Sequence, residues 1–202
     1  MTGRERLTIA ARGGEPDATP IVTFGKGGDA AIVAPNAVSE TVDGQTAVLA
    51  RVLSPLGRAI KSGSSLVARL HDDVESGAHE LEHLANETRS EMLAALANGA
   101  DGVFYELDGA YPAVTTPMEY GGHFLEVDRR LLTEVEQASF NILFVCGDSE
   151  PYIDFVSDLP AHAFAWDPRS GVTADYVRTM RQGALACEGC EVLLDLHAGA
   201  RS

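Results

Sequence analysis

The chain is poor in basic residues. Only 15 of its 202 residues are Lys or Arg, against 30 Asp or Glu, which gives a formal net charge of −15 at pH 7. A protein that binds nucleic acid usually neutralises the phosphates with a basic surface. The charge balance therefore excludes nucleic acid as an expected partner.

Long apolar runs are missing as well. A membrane-spanning helix needs about 20 consecutive apolar residues, and no stretch of this sequence approaches that length. The opening residues, TGRERLTIAARGGEPD, are too charged for the apolar core of a signal peptide. We therefore predict a cytoplasmic protein with no membrane partner.

Cysteine occurs only three times, at Cys146, Cys187 and Cys190. An odd number of cysteines in a chain without an export signal argues against a disulfide framework, so we expect free thiols or metal ligands.

A glycine-rich phosphate loop is also missing, because GKGGD at residues 25–29 lacks the Walker spacing and its final Ser or Thr.

Three short apolar runs alternate with helical sequence, and they lie at residues 102–105, 141–145 and 163–166. This alternation is typical of a parallel β/α sheet. A hydrophobic fraction of 45% is enough to form the core of one compact domain. We therefore predict an α/β fold with parallel strands, as a single domain over residues 1–202.

Hydrophobic periodicity and capping residues predict the remaining elements. The predicted helices are residues 4–12, 45–60, 78–98, 117–137, 149–157 and 173–181. The first has Thr2 as N-cap with Glu5 three residues on, and the fourth has Thr116 as N-cap followed by Pro117. Weaker strands are predicted at residues 21–24, 66–70 and 184–187, residues 30–34 form a short strand or no regular element, and residues from 190 onward form a tail.

Polar side chains follow each of the three apolar runs. In α/β folds the strand ends on one face carry the active site, so we expect these side chains to line one cleft. They are Glu106 and Asp108 after the first run, Cys146 and Asp148 after the second, and Trp166, Asp167 and Arg169 at the third.

Each of these residues has more than one interpretation. Glu106 and Asp108 are two positions apart, which suits general acid/base chemistry or the binding of a cationic or hydroxylated ligand. The alternative for Asp108 is a solvated loop carboxylate. Asp167 either orients a substrate or pairs with Arg169 to close a loop. Cys146 is either a metal ligand or a small buried residue at a strand end.

The order of several motifs resembles the uroporphyrinogen decarboxylase superfamily, which includes the cobamide-dependent methyltransferases. The motifs are TGRERLTIAARGGEPDATP, ANGADGVFYE, NILFVCGD and FAWDPRSG. The resemblance implies a TIM-barrel-like (β/α) fold with its site at the C-terminal strand ends. A full barrel needs roughly 250 residues, and residues 25–70 are compressed here, so we expect an incomplete or reduced barrel. It would be a fragment, a reduced paralogue or a partial barrel completed by another copy in a homodimer.

The resemblance implies decarboxylation of a tetrapyrrole or a related carboxylate. The expected catalytic residues are Glu106, Asp108 and Asp167, and no cofactor is expected for this reaction. The expected substrate-binding residues are Tyr105, Asp148, Trp166 and Arg169. Two family features have no clear counterpart: the N-terminal arginine cluster, where VTFGKGGDAA offers only Lys26, and the catalytic aspartate of the compressed region.

Two alternatives remain. A zinc- and corrinoid-linked methyltransferase would hold zinc with a His-x-Cys pair on the strand NILFVCG and with a later cysteine. Cys146 matches the cysteine of the pair and Cys190 is the candidate late ligand, but Phe144 occupies the histidine position. The other alternative is a degenerate, non-catalytic member that binds a ligand or partner through the same cleft. The expected partner is a small-molecule substrate, either a tetrapyrrole or a methylated, corrinoid-linked compound.

Overall fold

An eight-stranded barrel lies at the centre of the computed structural model, which describes residues 1–25, 27–181, 183–187 and 191–195. Each strand pairs with its neighbour in sequence, and the last pairs with the first. The strands are β1 (Ile21–Phe24), β2 (Ala30–Val33), β3 (Ala47–Leu53), β4 (Gly102–Leu107), β5 (Ile142–Val145), β6 (Ala163–Trp166), β7 (Ala184–Cys187) and β8 (Glu191–Asp195).

Strands β1 to β7 run parallel, whereas β8 is antiparallel to both of its neighbours, β7 and β1. A regular (β/α)₈ barrel has eight parallel strands, each followed by a helix. The prediction of a reduced TIM-barrel-like α/β fold is therefore confirmed. Because β8 bridges the two ends of the sheet, the barrel closes without a second copy of the chain.

Helices surround the described strands. They are α1 (Gly3–Ala11), α2 (Val38–Thr41), α3 (Pro55–Ser62), α4 (Leu66–Asp72), α5 (Val74–Ala97), α6 (Pro117–Glu119), α7 (Leu125–Glu134), α8 (Ile153–Val156) and α9 (Ala174–Arg178). A π-helical segment, Tyr120–Phe124, joins α6 to α7, and single 3₁₀ turns lie at Pro35–Ala37 and Pro168–Ser170. The predicted caps are confirmed, since Thr2 and Thr116 each form a capping box.

Two of the predicted elements are wrong. Residues 45–60 are not one helix but β3 followed by α3, because the run AVLARVL is apolar except for Arg51 and five of its seven residues are buried, while Ser54 and Pro55 begin a new helix. Residues 66–70 belong to α4 rather than to a strand, and Leu66 and Leu70, one helical turn apart, are both buried. The tail predicted after residue 190 is partly wrong as well, because it includes β8.

Helix α1 closes the N-terminal end of the barrel. Leu7 is buried with the side chains of the barrel interior. Arg4 pairs with Asp101, just before β4, with Nε and Oδ1 3.0 Å apart, and Arg6 pairs with Asp29, just before β2. The C-terminal ends of the strands are therefore at the opposite, open end, which we call the mouth.

Alternating residues of each strand face the two sides of the sheet. One buried cluster fills the barrel and includes Phe104, Ile142 and Ala165. The other lies between the sheet and the helices, and includes Tyr105 and Trp166. This alternation decides which strand-end side chains reach the mouth.

Candidate active site

Four polar side chains meet at the mouth: Glu106, Asp108, Cys146 and Asp167, which we call the mouth cluster. Strands β4, β5 and β6 are neighbours and run parallel, as the sequence predicts. Backbone hydrogen bonds join the ends of these strands, since the Cys146 N–H donates to the Leu107 carbonyl at 2.9 Å and the Asp167 N–H donates to the Val145 carbonyl at 3.0 Å. The negative charges of Asp108, Glu106 and Asp167 also raise the pKa of the Cys146 thiol. The structure thus brings together residues that come from three strand ends.

Glu106 is the most buried carboxylate of the mouth cluster, with 6% of its surface exposed. Its Oε1 accepts a hydrogen bond from Nε of Arg51 on β3 at 2.8 Å. The Arg51 guanidinium also lies over the ring of Phe24, 5.6 Å from its centroid. A buried charge needs a partner of opposite sign, and Arg51 supplies it for Glu106.

Asp108 is half-buried and held from two sides. Its backbone N–H donates to Ser54 Oγ at 3.2 Å, and its Oδ1 accepts from the Tyr111 hydroxyl at 2.9 Å. Burial raises the pKa of Tyr111, and its hydrogen bond to Asp108 raises that pKa further. Asp108 is therefore an oriented carboxylate with a neutral phenol beside it, rather than a freely solvated loop residue.

Cys146 is a partly buried free thiol at the end of β5. Burial raises its pKa, and the charges of Asp108, Glu106 and Asp167 raise it further, whereas Arg51 has the opposite, smaller effect. The thiolate is the form that attacks electrophiles and binds metals. At neutral pH Cys146 is consequently a neutral thiol with little reactivity of its own.

Asp167 and Arg169 close a loop after β6. Asp167 caps the 3₁₀ turn by accepting from the Arg169 backbone N–H at 2.9 Å, and its Oδ2 accepts from Arg169 Nη2 at 2.6 Å. These bonds to Arg169 lower the pKa of Asp167. Arg169 itself is largely exposed, so the loop-closing interpretation of this pair agrees with the geometry.

Two residues predicted to bind substrate lie on the wrong side of the sheet. Tyr105 is fully buried against the helices, where its hydroxyl donates to Asp128 at 2.6 Å. Trp166 also faces the helices, and its Nε1 donates to the Val172 carbonyl at 2.9 Å. The prediction is wrong for both, because adjacent strand residues point in opposite directions. Asp148, in contrast, is exposed just past β5.

Sequence analysis missed three residues of the site: Arg51, Ser54 and Tyr111. Arg51 went unnoticed because its segment was interpreted as a helix. A single cation within the run AVLARVL, followed by Ser-Pro, is a signal for a strand that ends at a polar site and a capped helix. Tyr111 lies three residues beyond Asp108 in a loop, and no local pattern marks it.

The described residues do not fit a zinc ion. No group of three or more His, Cys, Asp or Glu side chains in the described part of the chain is arranged to hold a metal. Phe144, at the position of the family's histidine, stacks on Phe104 with ring centroids 5.4 Å apart. Cys190 lies outside the described residues.

No family model and no curated protein matches this chain. Among solved structures it is similar to a methyltransferase from Methanosarcina mazei, with a TM-score of 0.55 and 15% sequence identity. The match covers 64% of this chain and 40% of that one, so the chain spans less than half the length of the methyltransferase. At this identity the likeness shows the fold alone.

The fold and the site define a TIM-barrel-like α/β protein with a polar mouth at the C-terminal strand ends. Within the described residues, none of the helices combines the length and the apolar character that crossing a membrane requires.

Proposed function

We propose that this chain is a methyltransferase, which moves a methyl group between two small molecules at the mouth of its barrel. The observation that carries the proposal is that Glu106, Asp108, Cys146 and Asp167 lie at the hydrogen-bonded ends of three adjacent parallel strands, in a barrel that resembles a methyltransferase. The likeness is an analogy of fold, so the chemistry must come from the residues.

The mouth cluster suits the proton transfer that methyl transfer requires. The acceptor, a thiol or another X–H group, becomes a nucleophile when a carboxylate removes its proton. Its electron pair then forms the bond to the methyl carbon, and the bond between methyl and donor breaks with its electrons remaining on the donor. Glu106 and Asp108 are the candidate bases, and solvent finally takes up the proton.

Arg51 and Tyr111 would position these two bases. Arg51 holds Glu106 through one nitrogen, and Tyr111 fixes one oxygen of Asp108, which leaves the other oxygen of Asp108 for the acceptor. The neutral Cys146 thiol lines the floor without competing for the methyl group. A cytoplasmic location, where thiols stay reduced, would suit this arrangement.

The test supplies methylcobalamin as donor and 2-mercaptoethanol as acceptor. We expect loss of the methylcobalamin spectrum together with formation of the methyl thioether, detected by mass spectrometry. Glu106→Gln should slow the reaction by about a hundredfold or more, in the range typical of general-base catalysis. Asp175→Asn, which removes a fully exposed carboxylate, is the matched control and should leave the rate unchanged. No turnover above the buffer rate would refute the proposal.

Decarboxylation of a tetrapyrrole carboxylate is the second candidate. Arg51 favours it, because a half-exposed guanidinium at the mouth can bind a substrate carboxylate. The test is turnover of uroporphyrinogen, which Arg51→Gln should abolish. If neither reaction occurs, a non-catalytic ligand-binding role becomes the preferred account.

A further inference from the structure

A cleft of about 550 Å³ adjoins the mouth on the side of β2 and β3, and we call it the side cleft. Its walls come from the ends of these strands and from α3 and α5. The connection between β2 and β3 contains only the turn Pro35–Ala37 and the four-residue α2. A full-length barrel helix is therefore missing here, which leaves this side of the barrel open.

Three cations line the side cleft, as many as the carboxylates there. Arg51, Arg58 and Lys61 line it, although the whole chain has only 15 Lys and Arg and a net charge of −15. The local arrangement of charges, rather than the net charge, determines which ligand a cleft attracts. An acidic protein can therefore still offer an anion site at this position.

The three cations differ in how many donors remain available. Arg58 is engaged, since Nε donates to Thr88 Oγ1 at 2.7 Å and Nη2 contacts Glu91. Arg51 uses only Nε, for Glu106, and about half of its side chain is exposed. Lys61 is exposed and has no polar partner among the described residues. The Nη groups of Arg51 and the ammonium of Lys61 are thus open to a ligand.

Two of the three carboxylates that line the side cleft are already paired with arginines. Glu106 pairs with Arg51 and Glu91 with Arg58, while Glu87 is exposed with its Oε1 3.8 Å from Nδ1 of His83. The remaining lining is apolar and includes Phe24 and Leu53. The side cleft therefore combines open cationic donors with an apolar wall.

We propose that the side cleft binds an anionic oxygen group, a carboxylate or a phosphate, carried on an apolar or aromatic body. Arg51 Nη and Lys61 Nζ contact the anion, and Phe24 and Leu53 pack against the body. This inference rests on the proposed function in one respect: the anion is the far end of a substrate whose reacting end lies in the mouth, beyond the pair of Arg51 and Glu106.

The experiment measures binding of three probes by isothermal titration calorimetry, without any methyl donor. Phenylacetate and phenyl phosphate carry the two anions, and phenylacetamide is the uncharged control. We expect saturable binding of at least one anion, weakened by raised salt because the donors are partly exposed. Lys61→Met and Arg51→Gln should each weaken it about tenfold, as expected for loss of a charged hydrogen bond.

Arg130→Met is the matched control, because it removes one exposed positive charge that does not line the side cleft. Equal weakening by this variant, equal binding of phenylacetamide, or no saturable binding of either anion would overturn the inference. Lys61 is exposed, so its variant tests the idea even if Arg51→Gln fails to fold. Methyl transfer from methylcobalamin uses neither probe, so the two proposals can fail separately.

Discussion

Burial and nearby charges together decide what the Cys146 sulfur can do. Burial raises the pKa of the thiol most, and the three acidic neighbours raise it further, with Asp108 having the largest effect among them. We predict that Asp108→Asn lowers the pKa of Cys146 and increases its alkylation rate by iodoacetamide at pH 8 by about threefold or more. Mass spectrometry of the peptide that contains Cys146 separates it from Cys187 and Cys190. Asp175→Asn serves as the control, and an unchanged rate in Asp108→Asn would contradict the prediction.

Asp128 is a second buried acid, and it lies outside the mouth. Its oxygens accept from the hydroxyls of Tyr105 at 2.6 Å and Tyr120 at 2.8 Å. Burial raises its pKa from 3.8 to about 6, although both hydrogen bonds act in the opposite direction. Since the folded state binds this proton more tightly, Asp128 favours folding at low pH, and this contribution is lost as the pH rises through about 6.

We predict that Asp128→Asn removes the part of the pH dependence of unfolding that lies between pH 4 and 6. The measurement is urea unfolding of both proteins across this window. Tyr105→Phe should instead increase this pH dependence, because the loss of one hydrogen bond to the Asp128 carboxylate raises the pKa of Asp128 further. A wild-type slope that persists in Asp128→Asn would show that other groups are responsible.

At the scale of single elements, helices could be predicted where hydrophobic spacing or a capping residue gave a clear sequence signal. The long amphipathic α5 and the capped starts of α1 and α6 follow from hydrophobic spacing and from Thr side chains that accept backbone hydrogen bonds. The prediction of one helix across β3 and α3 is wrong, because a buried strand and a helix follow each other there with only Ser54 between them. Periodicity in a short window cannot separate such a pair.

Arg181 connects the end of α9 to the segment between α8 and β6, a contact that no local sequence pattern predicts. It lies just after α9, is mostly buried, and donates to the carbonyls of Leu159 at 2.9 Å and Ala161 at 2.6 Å, after α8. Its guanidinium also lies 5.2 Å from the ring centroid of Phe164 on β6. This single side chain therefore ties α9 to the segment between α8 and β6.

We predict that Arg181→Ala lowers the free energy of unfolding by about 2–4 kcal/mol, because it leaves buried carbonyls without donors. Arg130→Ala, at an exposed pair with Glu82, should cost less than about 1 kcal/mol. Chemical denaturation measures both. Similar small losses in the two variants would mean that water replaces the Arg181 guanidinium.

At the scale of the molecule, the parallel order of β4, β5 and β6 and their common mouth could be predicted from the sequence. The antiparallel β8 could not, because strand direction depends on partners that are distant in sequence. Counting alternate residues along the strands would have predicted that Tyr105 and Trp166 face the helices rather than the mouth. Arg51 joins the site across 55 residues, a pairing that no local pattern contains.

The closed N-terminal end of the barrel depends on α1, and Leu7 is the side chain that tests this. Leu7 is 1% exposed and packs with the residues of the barrel interior, which come from strands as distant in sequence as β6. Leu7→Ala should cost about 3 kcal/mol of stability, through lost burial and a cavity under the sheet. Leu93→Ala makes the same change at a 37% exposed position of α5 and should cost less than about 1 kcal/mol. Urea unfolding compares the two, and equal losses would mean that α1 lies on the barrel without sealing it.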